Sequence, residues 1–166
     1  MIIMGIDPGF AKLGYGIIKV KGQKLKVKSK AENLGVIDYG YITSEPNLSA
    51  GERLKKINTE LNKLIKKHKP NLISVENIYF FKNLKTAMPV SQAKGVILFT
   101  AAKKKIPVCE FTPLQMKMAI VGYGKADKKQ IQKMIEKMLK LDEPIKSDDA
   151  ADALGVAICG ALKNFS

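Results

Sequence analysis

Of the 29 basic side chains in this 166-residue sequence only one is an arginine, Arg53, and there is one histidine and there are two cysteines. No apolar run approaches the ~20 residues that would span a bilayer, which excludes a membrane helix. His68 stands in Lys66-Lys67-His68-Lys69-Pro70 at what reads as an exposed helix end, so a surface role is expected for it. A lone histidine in that place leaves no serine–histidine or cysteine–histidine nucleophile. Cys109 and Cys159 lie far apart with no Cys or His neighbour to complete a zinc site, and they are expected to be buried, inert thiols. Met1 leads straight into an apolar strand, without a charged leader or a small-residue cleavage site, which gives the expectation of a cytoplasmic protein.

Acids are also scarce. Fifteen Asp and Glu against 29 Lys and Arg leave a net charge of +14, an excess that a polyanionic partner such as nucleic acid would explain. A thermal-adaptation bias toward lysine is the competing explanation. Lysine meets phosphate as a point charge, whereas bidentate reading of guanine favours arginine, so the composition points to backbone binding more than to base readout.

What is present reads as a single α/β domain over residues 1–166 with one core. Ile2 to Asp7 is a short buried-type strand stopped by Pro8-Gly9. Leu13 to Val20 and Lys24 to Ser29 flank Lys21-Gly22-Gln23 as a hairpin, and Val36 to Thr43 can add a third strand, all antiparallel. Ser49 to Glu52 is a capping box opening an amphipathic helix with Leu54, Ile57, Leu61, Leu64 and Ile65 on one face. Leu72 to Glu76 is a further strand, residues 87–104 a helix with Pro89 near its start, and Pro107 to Phe111 another strand. Thr112-Pro113 caps a short helix ending at Gly122, Asp127 to Gln130 begins another, and a last helix starts near Ser147. Antiparallel strands followed by alternating strand and helix predict a mixed sheet flanked by helices.

Four acids stand out in this order. Asp7 and Glu76 each end a buried-type strand, where charge is tolerated only at the sheet's rim. Asp149 and Asp152 are three apart on the last helix and share a face, with alanines at 150, 151 and 153 that allow close approach to the sheet. Asp148 points about 100° away from Asp149 and is read as complementing the helix dipole. Asp7 also fits a turn residue, and Asp149 also fits the dipole; Glu76 has no turn role to play. Four carboxylates on one point repel each other unless compensated, and Mg²⁺ or Mn²⁺ is the usual partner of an all-oxygen cluster. Two such ions would activate water on one side of a phosphodiester and stabilise the leaving oxygen on the other.

Gly5-Ile6-Asp7-Pro8-Gly9 with Gly14-Tyr15-Gly16 resembles the opening of the RuvC family of Holliday-junction resolvases. Val75-Glu76-Asn77, Gln92-Ala93-Lys94-Gly95, Val121-Gly122-Tyr123-Gly124 with Ala126, Lys128 and Gln130, and Asp149 to Leu154 follow in the family's order over nearly the whole chain. The resemblance implies an RNase H-like fold with a mixed five-stranded sheet, a homodimer, and paired nicks across a four-way DNA junction. It places Asp7, Glu76, Asp149 and Asp152 as catalytic acids holding two Mg²⁺ ions, with Mn²⁺ as a substitute. Lys117 and Lys128 match basic residues near the scissile phosphate and along the DNA path, and Tyr79 matches an aromatic that stacks at the junction centre. Whether a branch-migration complex accompanies it is left open. The sequence departs from the family at Phe10-Ala11-Lys12-Leu13, where a small polar residue, an arginine and a threonine are usual, and in a longer basic segment from Lys21 to Asn33.

Competing expectations are a non-catalytic branched-DNA binding module, a related RNase H-like nuclease with another nucleic-acid substrate, and a fragment of a nucleotide-binding ATPase. The last lacks a second glycine-rich phosphate loop and the length for two lobes.

Overall fold

The computed structural model describes residues 1–22, 33–77 and 84–164, and its strands and helices follow the alternation of apolar residues closely. Strands β1 (Ile2–Asp7), β2 (Lys12–Val20) and β3 (Leu34–Thr43) precede helix α1 (Ala50–His68), β4 (Leu72–Glu76) and α2 (Leu84–Lys103). Strand β5 (Val108–Phe111) and helices α3 (Pro113–Val121), α4 (Lys128–Leu139) and α5 (Asp148–Asn164) complete the order. The five strands lie in the order β3-β2-β1-β4-β5. β1 pairs antiparallel with β2, and β2 with β3, while β1–β4 and β4–β5 are parallel. The sheet is mixed in the sense the sequence predicts.

Period-two alternation sorts each strand's residues between two buried layers. Met4 and Ile6 of β1, with Ile73 and Val75 of β4, face a layer built with Ile57 and Leu61 of α1 and Ala93 and Ile97 of α2. Ile3 and Leu72 face the other layer, built with Met116 and Ile120 of α3, Ile131 and Ile135 of α4 and Leu154 of α5. Gly5, Asp7, Ser74 and Glu76 fall in the same alternation as Ile3 and Leu72, so both strand-ending acids belong to the α5 side.

The helix starts are where the side chains predict them. Ser49, Thr112 and Asp127 are N-caps closed by reciprocal capping boxes with Glu52, Gln115 and Gln130. The predicted helix over residues 87–104 begins earlier, at Leu84, so Pro89 lies inside it, where it has no backbone N–H to donate to the preceding turn. The strand expected over Lys24 to Ser29 lies outside the described residues. Val36 to Thr43 is indeed a strand, and it is β3 that partners β2.

His68 is corrected. It is buried, with Nε2 3.0 Å from Asp38 Oδ2, and Lys67 Nζ donates to the same oxygen at 2.9 Å. A left-handed cap at Lys69 turns the chain so that the end of α1 meets β3, a contact 30 residues away in sequence that a run of lysines conceals. The Asp38 carboxyl stays below its usual range because hydrogen bonds from Lys67 and His68 outweigh its burial. Cys159 is buried and its thiol is pushed up to about 12 by that burial, as an inert thiol should be, whereas Cys109 is only half-buried.

Candidate active site

Asp7 and Glu76 are the last residues of β1 and β4, two neighbouring parallel strands whose register pairs Ile6 with Val75. Their carboxyls therefore emerge side by side at one edge of the sheet, on the face covered by α5. Helix α5 brings Asp149 and Asp152 to the same edge, and it can do so because the sheet beneath its first turns is a patch of glycines. Gly5 pairs with Gly16 and Asp7 with Gly14 across β1 and β2. A Cβ on Gly5 would stand 2.0 Å from the Ala153 carbonyl oxygen and one on Gly14 2.0 Å from the Asp149 carbonyl oxygen, while at Gly16 it would meet Leu154. The glycines of the N-terminal motif are thus the floor on which α5 rests, with the alanines of α5 as the matching face.

Asp7 senses all three other acids. Its carboxyl is pushed up to about 8, first by burial and then by Glu76, Asp152 and Asp149, and it shares a hydrogen bond with Glu76. Glu76 is raised to about 7 by burial and by Asp152, against the opposing pull of Asp7's hydrogen bond and Lys128. Burial also raises Asp152, although Lys128 opposes it. Such a cluster is short of positive charge, and its donors are all oxygen, a chemistry that suits Mg²⁺ or Mn²⁺.

Part of the missing charge is supplied by lysines. Lys128 Nζ lies 3.1 Å from Asp148 Oδ2 and 3.5 Å from Asp152 Oδ2. Lys12 Nζ lies 2.6 Å from Asp149 Oδ2 and donates to Ser147 Oγ at 3.3 Å. Among the described residues no three acids stand together as a ready-made cation cage, and Asp149 and Asp152 instead face these lysines.

The other expected residues divide. Lys128 reaches the cluster, but Lys117 Nζ donates to the Ala126 carbonyl at 2.8 Å, bracing the turn between α3 and α4, and forms no ion pair with the acids among the described residues. Tyr79 lies outside the described residues. Asp148 is exposed and touches Lys128, in keeping with its separation from Asp149 on the helix.

Two residues escaped the sequence reading of individual roles. Lys12 had signalled only a departure from the family pattern, and its acid is 137 positions further on. Lys94 of α2 donates to Asn77 Oδ1 at 2.9 Å and pairs with Glu110 of β5, holding the chain directly after Glu76. Phe10 also has a partner: the Arg53 guanidinium lies 4.2 Å from its ring centre, and Arg53 Nε donates to Ser44 Oγ at 2.9 Å.

The family model for crossover junction endodeoxyribonuclease RuvC matches residues 3–160. A relative from Alkaliphilus metalliredigens with that same description is 47% identical over 161 residues, covering 97% of this chain and 93% of its own length. The structure of T. thermophilus RuvC in complex with Holliday junction substrate superposes with a TM-score of 0.88 at 29% identity, covering 99% of this chain and 95% of that one. The yeast mitochondrial Holliday junction resolvase Ydc2 shares the fold, with a TM-score of 0.67 at 15% identity, covering 98% of this chain and 78% of that one.

A mixed five-stranded sheet with acids at the tips of two neighbouring parallel strands, roofed by a helix carrying two more, is an RNase H-like fold of the resolvase kind. Within that class the chain belongs to the RuvC crossover junction endodeoxyribonuclease family.

Proposed function

We propose that this chain is a structure-specific endonuclease that resolves four-way DNA junctions in recombination and repair, working in the cytoplasm as a homodimer of single RNase H-like domains spanning residues 1–166. Asp7, Glu76, Asp149 and Asp152 are its catalytic acids. The observation that carries this reading is the convergence of Asp7, Glu76 and the α5 acids at one sheet edge, with Asp7 held up to about 8 by burial and the other three. Two Mg²⁺ ions, or Mn²⁺ in their place, would be held by these four carboxylates and would supply a water nucleophile and neutralise charge on the scissile phosphate.

The chain's own residues set the rest. β1 and β4 fix Asp7 and Glu76 on the sheet, and α5 fixes the spacing of Asp149 and Asp152. Lys128, half in the cluster and half exposed, is placed to meet a phosphate, and the surplus of lysine favours the DNA backbone over base readout. Lys117 and Tyr79 complete the proposed DNA contacts, the first through the α3–α4 turn that it braces.

The dimer is supported by α2, where Met88, Gln92, Gly95 and Phe99 form one exposed stripe. Met88 is 71% and Phe99 65% exposed, and open space surrounds Gly95, so a second copy's helix can approach closely. A two-fold axis there would present two identical acid clusters to two symmetry-related strands.

The test is cleavage of a synthetic four-way junction with Mg²⁺, beside a linear duplex and a metal-free control. Paired nicks at symmetric positions, on the junction alone and only with metal, are expected. Binding without nicking under every metal condition would leave a non-catalytic junction-binding module, and equal cutting of linear duplex would point to an RNase H-like nuclease of another substrate.

A further inference from the structure

The acid cluster carries a cation of the protein's own on the side of Asp149, and three elements hold it there. Lys12 opens β2, its Nζ lies 2.6 Å from Asp149 Oδ2 and 3.3 Å from Ser147 Oγ at the start of α5, and it stands 4.0 Å from the centre of the Tyr41 ring on β3. The register explains the last contact. Lys12 pairs with Thr43, so Tyr41 is its diagonal neighbour on the same face of the sheet. The aromatic face and the hydroxyl both favour an ammonium at this point, so Lys12 is steered to Asp149 by more than the acid alone.

An ammonium on Asp149 Oδ2 takes up that oxygen and repels a divalent cation approaching either oxygen of the carboxylate. Lys128 is differently placed. It divides itself between Asp148 and Asp152 at longer distances, so it can stay on Asp148 if Asp152 turns away. Lys12 has no second acid within salt-bridge reach among the described residues.

We infer that Lys12 is a built-in competitor for Asp149: it holds that carboxylate when no metal is bound, and a divalent ion must bind Asp149 against its charge. Lys12 is therefore a positioning residue that sets the metal affinity of the Asp149 side. It lies in the Phe10 to Leu13 segment where this chain departs from the family pattern, so this setting belongs to the chain's own sequence. The inference rests on the proposed metal-holding role of the four acids.

Mn²⁺ binding to the full-length protein without DNA, measured by calorimetry, tests it. Lys12→Met is expected to bind Mn²⁺ about threefold to fivefold more tightly than wild type, the scale of a partly exposed ion pair. Lys12→Arg, which keeps the charge, is expected to match wild type. Lys12→Gln, neutral but still able to donate to Asp149, gives a second reading should Lys12→Met fail to fold, and it is expected to tighten binding in the same direction. Unchanged or weaker binding in the neutral variants, with wild type binding normally, overturns this inference alone. A wild type that binds no Mn²⁺ overturns it together with the metal-holding role.

Discussion

Asp7→Asn is expected to cut a four-way junction at least ~10³-fold more slowly than wild type, a loss of about 4 kcal/mol of transition-state stabilisation. The same variant should bind the junction as well as wild type or better, because it removes a negative charge facing phosphate. It should also be the more stable protein in metal-free buffer at pH 8. Asp7 has a carboxyl raised from 3.8 to about 8, mainly by burial. A raised acid binds its proton more tightly folded than unfolded, so its contribution to stability is greatest below pH 4 and is lost as pH rises towards 8.

At ~1.4 kcal/mol per pH unit that shift sets a ceiling of ~6 kcal/mol. Asparagine loses part of this through a poorer hydrogen bond to Glu76, leaving a net gain on the order of 2 kcal/mol, or roughly 4–8 °C in melting temperature for a chain of this size. Thermal melts at pH 5 and pH 8 with chelator should show the gain at pH 8 and little of it at pH 5. Loss of junction binding together with cleavage, or a lower melting temperature at pH 8, would make Asp7 a structural residue.

Gly14→Ala is expected to cost ~1–3 kcal/mol of stability, the range for forcing a methyl group into filled space. The new methyl would lie 2.0 Å from the Asp149 carbonyl oxygen and 2.5 Å from its carbonyl carbon, both backbone atoms of α5 that cannot swing aside as a side chain would. α5 must lift, and Asp149 is carried with it, so cleavage should fall as well. Gly51→Ala is the matched control, since nothing lies within 4 Å of its added Cβ and alanine favours a helix. Chemical denaturation of the two variants beside wild type measures the difference; equal stability would mean that α5 is not seated on the glycine floor.

The capping residues, the amphipathic faces and the placing of the four acids at strand ends and on one helix were legible in the sequence because each depends on local spacing. Glu76 closing an apolar strand, and Asp149 with Asp152 three apart on a helix, are patterns that short-range geometry fixes. What the spacing could not reveal is long-range. His68 looked solvated among lysines until β3 brought Asp38 to it, and Lys12 looked like a mere departure from a pattern until α5 brought Asp149 over β2. The glycines of the opening motif were legible as a resemblance, but their physical reason, a helix backbone laid against two strands, is a tertiary fact. Lys117 was expected near the scissile phosphate on resemblance alone, and here its ammonium caps the Ala126 carbonyl.

The central claim is that acids from β1, β4 and α5 act as one metal-holding site. Mn²⁺ titration of Asp7→Asn, Glu76→Gln, Asp149→Asn and Asp152→Asn beside wild type and Asp142→Asn, an exposed acid between α4 and α5, tests it most directly. The expected result is binding weakened at least ~10-fold in each of the first four, since losing even an outer-shell partner costs that much, with Asp142→Asn unchanged. Wild-type affinity in any of these four variants would contradict it.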